Sequence, residues 1–79
     1  MKLPELAAGQ PAEIVSVRAE GALAGRLRML NIAAGRRVRL LRAAPFGGGF
    51  LLDCEGVRVA VRRSLAAGIE VRPLTEDEA

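Results

Sequence analysis

Leu27-Arg28-Met29-Leu30-Asn31-Ile32-Ala33-Ala34-Gly35-Arg36-Arg37-Val38 is the stretch on which the fold turns. Leu23, Leu27 and Leu30 stand at i, i+4 and i+7, so a helix of about two turns carries one apolar stripe. Asn31 follows the last residue of the stripe. A helix exit commonly needs one residue in the left-handed region, and Asn is the usual second choice after Gly there. Ala34-Gly35 suits the centre of a type II turn, with Gly35 supplying the positive φ of the third turn position. Beyond Gly35 the period changes. Val38 and Leu40 alternate with Arg37, Arg39 and Leu41, which is strand spacing. A helix this short, leading straight into a strand, has only a sheet on which to bury its stripe.

Towards the N-terminus, residues 1–9 carry Leu3, Pro4, Leu6 and Gly9 and read as an extended lead-in with a turn at Ala8-Gly9-Gln10. Ala12 to Arg18 reads as the first strand. Ile14 faces one way and Val15 and Val17 the other, which predicts a bulge or burial on both faces. Pro11 suits the start of an edge strand and not a central one. The helix spans about Ala22 to Leu30, and Gly25 inside it costs about 1 kcal/mol relative to Ala, so tertiary packing must hold it.

Towards the C-terminus, Arg36 to Ala43 is the second strand, and Ala44 to Gly49 is a loop with three consecutive glycines. Phe50, Leu52 and Cys54 share the inner face of a third strand, and Glu55-Gly56 is a hairpin turn. Val57, Val59 and Val61 alternate with Arg58, Ala60 and Arg62 in a fourth strand. Ser64 is placed to cap a single helical turn, Ser64 to Ala67, which Gly68 ends. Ile69 and Val71 lie in a short fifth strand that Pro73 stops. The expected core is Leu23, Leu27, Leu30, Val38, Leu40, Leu52, Val59, Val61, Ile69 and Val71. The fold class is mainly β: a small, partly closed barrel of about five strands with one short helix inserted after the first. Residues 1–74 form one domain, and residues 75–79 form an acidic tail expected to be disordered.

Seventy-nine residues bury only about 60–65% of their unfolded surface, so the core is marginal. Cys54 is the only cysteine, which excludes an internal disulfide and fits a reducing compartment. No apolar run approaches the roughly 20 residues of a membrane span, and no long apolar segment near the N-terminus marks a signal peptide. A cytoplasmic location without membrane insertion is expected. The net charge is +3, and three of the nine acidic residues (Glu76, Asp77, Glu78) sit in the last four positions. The body is therefore more basic than the whole, which suits nucleic acid or an acidic protein surface.

Catalytic signatures are missing. The chain has no His and no Tyr, and Ser16 and Ser64 lack a nucleophile-elbow context. Gly47-Gly48-Gly49 is not followed by Lys-Ser/Thr, so it is not a phosphate loop. An enzyme is not expected. Transition-metal sites want imidazole or thiolate ligands, and this chain offers one thiol, Cys54, which on a strand faces away from Asp53 and Glu55. No cofactor is expected, and a transition-metal ion would have to be held weakly or with a partner's ligands. Arg36, Arg37, Arg39 and Arg42 cluster around one strand and could meet phosphates, but a small-barrel reader of nucleic acid usually adds stacking aromatics. Only Phe46 and Phe50 exist, and Phe50 reads as core. A protein-binding surface is the better candidate. Arg26, Arg28 and Met29 lie off the buried stripe, and Pro45 and Phe46 sit in the glycine-rich loop, a composition found in interfaces.

The run Arg26-Leu27-x-x-Leu30-Asn31-Ile32-x-Ala34-Gly35-x-x-Val38, then Ala44-Pro45-Phe46-Gly47, Val59-Ala60-Val61-Arg62 and Ala67-x-Ile69-x-Val71, resembles the FeoA family. Asn31 stands where that family usually has Gly, Ala34 where it has Pro, and Gly48-Gly49 where it has Asp-Pro. The resemblance implies an SH3-like barrel and a cytoplasmic accessory protein of ferrous-iron uptake and iron homeostasis. The implied partner is a Feo-type permease with a cytoplasmic GTP-binding domain, which would bring the protein to the inner face of the membrane. Family-level descriptions also imply association with a transition-metal ion. Two other readings compete: a nucleic-acid binder using the Arg36–Arg42 strand, and a metal-responsive regulatory barrel.

Overall fold

The computed structural model describes residues 1–78 and places the decisive stretch at the junction of helix and sheet. Helix α1 spans Gly21–Met29. Past its end, Asn31 takes φ 64°, Asn31 N–H donates to Arg28 C=O at 3.0 Å, and Ile32 N–H donates to Leu27 C=O at 2.9 Å. This pair of bonds is a Schellman closure, and the apolar side chains that accompany it, Leu27 and Ile32, both enter the core. The following turn is closed by Arg36 N–H on Ala33 C=O at 3.1 Å, with Gly35 at φ 89°. Gly35 N–H then donates to Ile14 C=O, and Ile14 N–H to Arg36 C=O, each at 2.8 Å. The helix exit thereby delivers the chain into register beside the first strand.

The strands are β1 Pro11–Val17, β2 Arg37–Ala43, β3 Phe50–Cys54, β4 Val57–Val61 and β5 Ile69–Pro73, with a single-turn helix α2, Arg63–Ala66, between the last two. They form one antiparallel sheet in the order β4-β3-β2-β1-β5. The mainly β architecture with one short helix after the first strand is the expected one. Strand β1 is not an edge strand, because it pairs with both β2 and β5. Pro11 is tolerated because it is the first residue of the strand, where a missing N–H breaks no continuing ladder. The expected bulge is present: the β1–β5 register shifts between Ile14 and Ser16, leaving Ile14 buried and Val15 52% exposed. At the β3–β4 hairpin Glu55 and Gly56 take φ 51° and 95°, the two positive values a type I′ turn requires. The Asp53 carboxylate accepts Gly56 N–H at 2.9 Å and locks it.

The core departs from the expected list in two ways. Leu3 and Leu6 are buried, because residues 1–9 are not an extended lead-in. Leu3–Glu5 form a 3₁₀ turn, in which positions three apart eclipse and face the same way. The segment is tied down by Val71 N–H on Met1 C=O at 2.7 Å, and by Glu70, which pairs with the terminal ammonium and with Lys2 Nζ at 3.2 Å. Leu23, expected in the core, is 42% exposed. The first turn of α1 is solvent-facing, and the helix meets the sheet through the half that the Schellman closure staples down. Leu30 and Val59 pack on the core only partly buried.

One smaller expectation also changes. Ser64 does not cap α2. The helix begins one residue earlier, with Arg62 at the cap position and no side-chain cap bond. In the acidic segment Thr75 N–H donates to the Glu78 carboxylate at 3.0 Å, and Glu78 pairs with Arg72 at 3.3 Å. Ala79, the last residue of the expected tail, lies outside the described residues.

The two stripe leucines should separate in an unfolding experiment. Leu27→Ala is expected to cost about 2–5 kcal/mol, as for a buried leucine. Leu23→Ala should stay within about 0.5 kcal/mol, as for an exposed one. Urea unfolding of both variants checks this, and equal losses would contradict the placement of α1.

Candidate partner-docking surface

Few side chains on this molecule stand out from it, and two of them dominate. Met29 at the end of α1 is 84% exposed, and Phe46 is fully exposed. Arg26 and Arg28, the cations near Met29, are exposed and make no ion pair among the described residues. Phe46 sits in a second 3₁₀ turn, Pro45–Gly47, at φ 58°, a conformation that costs a residue with a β-carbon roughly 1–2 kcal/mol. The loop is held in that shape. Ala44 N–H donates to Gly49 C=O at 2.8 Å, and Gly48 N–H to Pro45 C=O at 3.2 Å. Gly49, at φ 119°, packs so closely that a β-carbon there would meet Val61 C=O at 2.6 Å.

The five residues singled out from the sequence therefore fall into two groups. Arg26, Arg28 and Met29 occupy the exposed half of α1; Pro45 and Phe46 occupy the loop between β2 and β3. No hydrogen bond or ion pair joins them. Beside the first group runs an apolar groove of about 290 Å³ between β1 and the helix exit, lined by Val15, Val17, Ala24, Leu27, Ala33 and Ala34 among others. Sequence reasoning did not identify this groove. Its signal is the outward parity of Val15 and Val17, which predicts a bulge or burial on both faces without locating a groove.

Two of the four arginines of the nucleic-acid reading, Arg36 and Arg39, are engaged through their side chains. Arg36 Nη1 pairs with Glu55 Oε1 at 3.3 Å, Arg37 N–H donates to Glu55 Oε2 at 2.9 Å, and the Arg39 guanidinium donates to Gly9 C=O. Arg37 and Arg39 line a shallow pocket of about 170 Å³ together with Asp53 and Glu55, so the field there is mixed. The hydrogen bond from Arg37 N–H, followed by the Arg36 charge, holds the Glu55 carboxyl below its usual range. Among the described residues the guanidinium groups of Arg37 and Arg42 take part in no hydrogen bond or ion pair.

The donor set does not fit a resident metal ion. Among the described residues no group of three or more Cys, Asp or Glu side chains converges. Cys54 is fully buried in the core. Burial first, then the nearby Asp53 and Glu55 charges, push its thiol up to about 11. A thiolate ligand at neutral pH would need the core opened and the proton removed. Cys54 does have a partner through its backbone: Asn31 Nδ2 donates to Cys54 C=O at 3.2 Å. The residue in the left-handed exit position thus ties the end of α1 to the β3–β4 hairpin, which a glycine there could not do.

The molecule is a five-stranded SH3-like barrel with a helix after its first strand, and it carries exposed apolar and cationic side chains. The chain belongs to the FeoA family, associated with ferrous iron transport, whose domain model matches residues 1–73. It is similar to the solution structure of the FeoA protein of Chlorobium tepidum, at 44% identity over 99% of this chain and 74% of that one, with a TM-score of 0.87. It is also similar to the zinc complex of Stenotrophomonas maltophilia FeoA, at 36% identity over 90% of this chain and 88% of that one, TM-score 0.72. That protein is described as a prokaryotic SH3 domain protein and a candidate ferrous iron transport activating factor. A manganese-dependent transcriptional repressor shares the fold, at 19% identity over 94% of this chain and 41% of its own, TM-score 0.81. No curated protein sequence matches the chain.

Two outcomes follow for the buried end of the site. The folded protein keeps its Cys54 proton where the unfolded chain has lost it, so stability should fall as pH rises from about 9 to about 11. Alkaline melts of the native chain and of Cys54→Ala check this, and the extra loss in that window should be absent from the variant. Asn31→Ala loses the bond to Cys54 C=O and keeps the left-handed strain, so it should destabilise by about 1–3 kcal/mol, while Asn31→Gly should cost less. Chemical denaturation of both variants decides.

Proposed function

We propose that this chain is a cytoplasmic, non-catalytic accessory protein of ferrous-iron uptake that binds the Feo-type permease through its cytoplasmic GTP-binding domain and modulates its activity or assembly. Its contact residues are Arg26, Arg28, Met29, Pro45 and Phe46. The observation that carries the reading is the exposure of Met29 and Phe46 on a barrel whose other large apolar side chains are mostly buried. Large apolar side chains beside unpaired arginines are the composition of interface hot spots, and ordering them against a partner would repay their solvation.

Several further features support it. Among the described residues no helix is long and apolar enough to cross a membrane, so a transport role would be exercised through another protein. The FeoA relative from Stenotrophomonas maltophilia is described in terms of activation. Among the described residues no donor cluster offers iron a resident site, so iron enters this reading as the permease's cargo. The nucleic-acid reading is less favoured because the side chains of two of its four arginines, Arg36 and Arg39, are already engaged by Glu55 and Gly9, and Arg37 and Arg39 share their pocket with Asp53 and Glu55.

The test is an amide NMR titration with the isolated GTP-binding domain of the permease. Shifts should concentrate on residues 22–32 and 44–49. Met29→Asp should weaken binding by at least about tenfold, the effect of losing a contact worth 1.4 kcal/mol, with an unchanged fold. No shifts in any nucleotide state would overturn the proposal.

A further inference from the structure

The Phe46 loop stands in a cationic setting that a protein contact alone does not use. Gly47 lies under the Arg63 side chain, since a β-carbon on it would be 3.3 Å from Arg63 Nη1. Gly49 packs on the backbone of Val61 and Arg62. Arg42 stands over an apolar groove of about 400 Å³ that also includes Ala43, Ala44, Pro45 and Leu51. Arg42, Arg62 and Arg63 are exposed, and none of them takes part in an ion pair among the described residues.

Every ion pair in the described structure involves Met1, Lys2, Arg36 or Arg72 with Glu13, Glu55, Glu70 or Glu78, and none of these residues belongs to the Phe46 loop or to the Arg62–Arg63 segment against it. Three arginines without an ion pair among the described residues lie close to that loop in the fold: Arg63, packed on Gly47; Arg42, over the groove that includes Pro45; and Arg62, whose backbone packs on Gly49 and whose side chain lines the neighbouring cleft with Arg18 and Leu65. The uncharged polar side chains that a shaped protein pocket would hydrogen-bond are scarce there. Residues 42–50 and 60–63 contain no Ser, Thr, Asn, Gln or Tyr. A protein interface usually carries about one hydrogen bond per 100–200 Å². A lipid headgroup layer asks only for cations at the surface and an apolar tip at the acyl boundary.

We propose that the Phe46 loop docks directly on an anionic lipid bilayer, with the Phe46 ring entering the headgroup layer and Arg42, Arg62 and Arg63 resting on acidic headgroups. The loop is built for this: its backbone bonds hold Phe46 in the left-handed region with the ring clear of the barrel. Contact is peripheral and reversible, because one aromatic side chain and three cations fall short of a stable anchor. It would place the barrel at the membrane face and take Pro45 and Phe46 out of the protein contact there, leaving Arg26, Arg28 and Met29 on α1 to a protein partner.

The experiment is co-flotation of the whole chain with vesicles of phosphatidylcholine, with and without phosphatidylserine, in the absence of any other protein. Binding should require phosphatidylserine and weaken as salt is raised. Arg63→Gln or Arg42→Gln should each lower partitioning about fivefold, the effect of one cation at an anionic surface. Phe46→Ser should lower it further at unchanged charge. Arg58→Gln removes the same charge at the opposite, hairpin end of β4, opposite Asp53, and should change binding by less than about twofold because the attraction decays within a Debye length. All four positions are exposed, so circular dichroism should show native folding. Absence of binding to phosphatidylserine vesicles would overturn the proposal. So would equal losses from Arg58→Gln and Arg63→Gln, which would mean diffuse charge. Loop variants that abolish binding to the permease domain in solution but leave vesicle binding unchanged would assign the loop to protein instead.

Discussion

The hydrogen bond from Ile32 N–H to Leu27 C=O carries more of this structure than its modest energy suggests. It closes the helix, aims the chain at β1, and brings two core side chains, Leu27 and Ile32, together at the closure. A nine-residue helix with Gly25 in its middle has little intrinsic stability. It persists because its exit is stapled to the sheet. The Asn31 side chain adds a second staple to Cys54 C=O, linking the helix exit to the far hairpin. The same anchoring explains why the N-terminal turn of α1 stands away from the sheet with Leu23 exposed.

The strained positions sit where the surface is shaped. Asn31, Phe46 and Glu55 are the non-glycine residues with positive φ. Each belongs to an abrupt reversal: the helix exit, the β2–β3 loop and the β3–β4 hairpin. Asn31 and Glu55 use their side chains to repay the strain, through Cys54 C=O and through Arg36 and Arg37. Phe46 makes no such bond. Its strain is offset by backbone bonds within the loop, and its ring is left to solvent, which is an unfavourable arrangement unless something else covers it.

Charge is sorted along the molecule as well. Carboxylates and their partner cations gather around the N-terminal segment, β5 and the hairpin, where they tie chain ends to the sheet. These exposed pairs contribute little stability individually. They engage Glu13, Glu55, Glu70 and Glu78, while the exposed arginines of α1 and those beside the Phe46 loop take part in no ion pair among the described residues. Those arginines suit an anionic or acidic counterpart.

Much of this was legible in the sequence because it depends on local chemistry. The alternation of Phe50, Leu52 and Cys54, the Glu55-Gly56 reversal, and the need for left-handed residues at Asn31 and Gly35 follow from backbone sterics and side-chain period alone. The exposure of Met29 and Phe46 was legible by subtraction, as large apolar side chains off the buried faces. What the tertiary structure decided was long-range. Leu3 and Leu6 enter the core because β5 captures the first residues. Pro11 opens a central strand because β5 comes back to the free edge of β1. The Arg36 and Arg39 side chains are engaged because Glu55 and Gly9 reach them from distant segments. Local pattern specifies which way a side chain points from its own backbone, and only packing decides what it meets there.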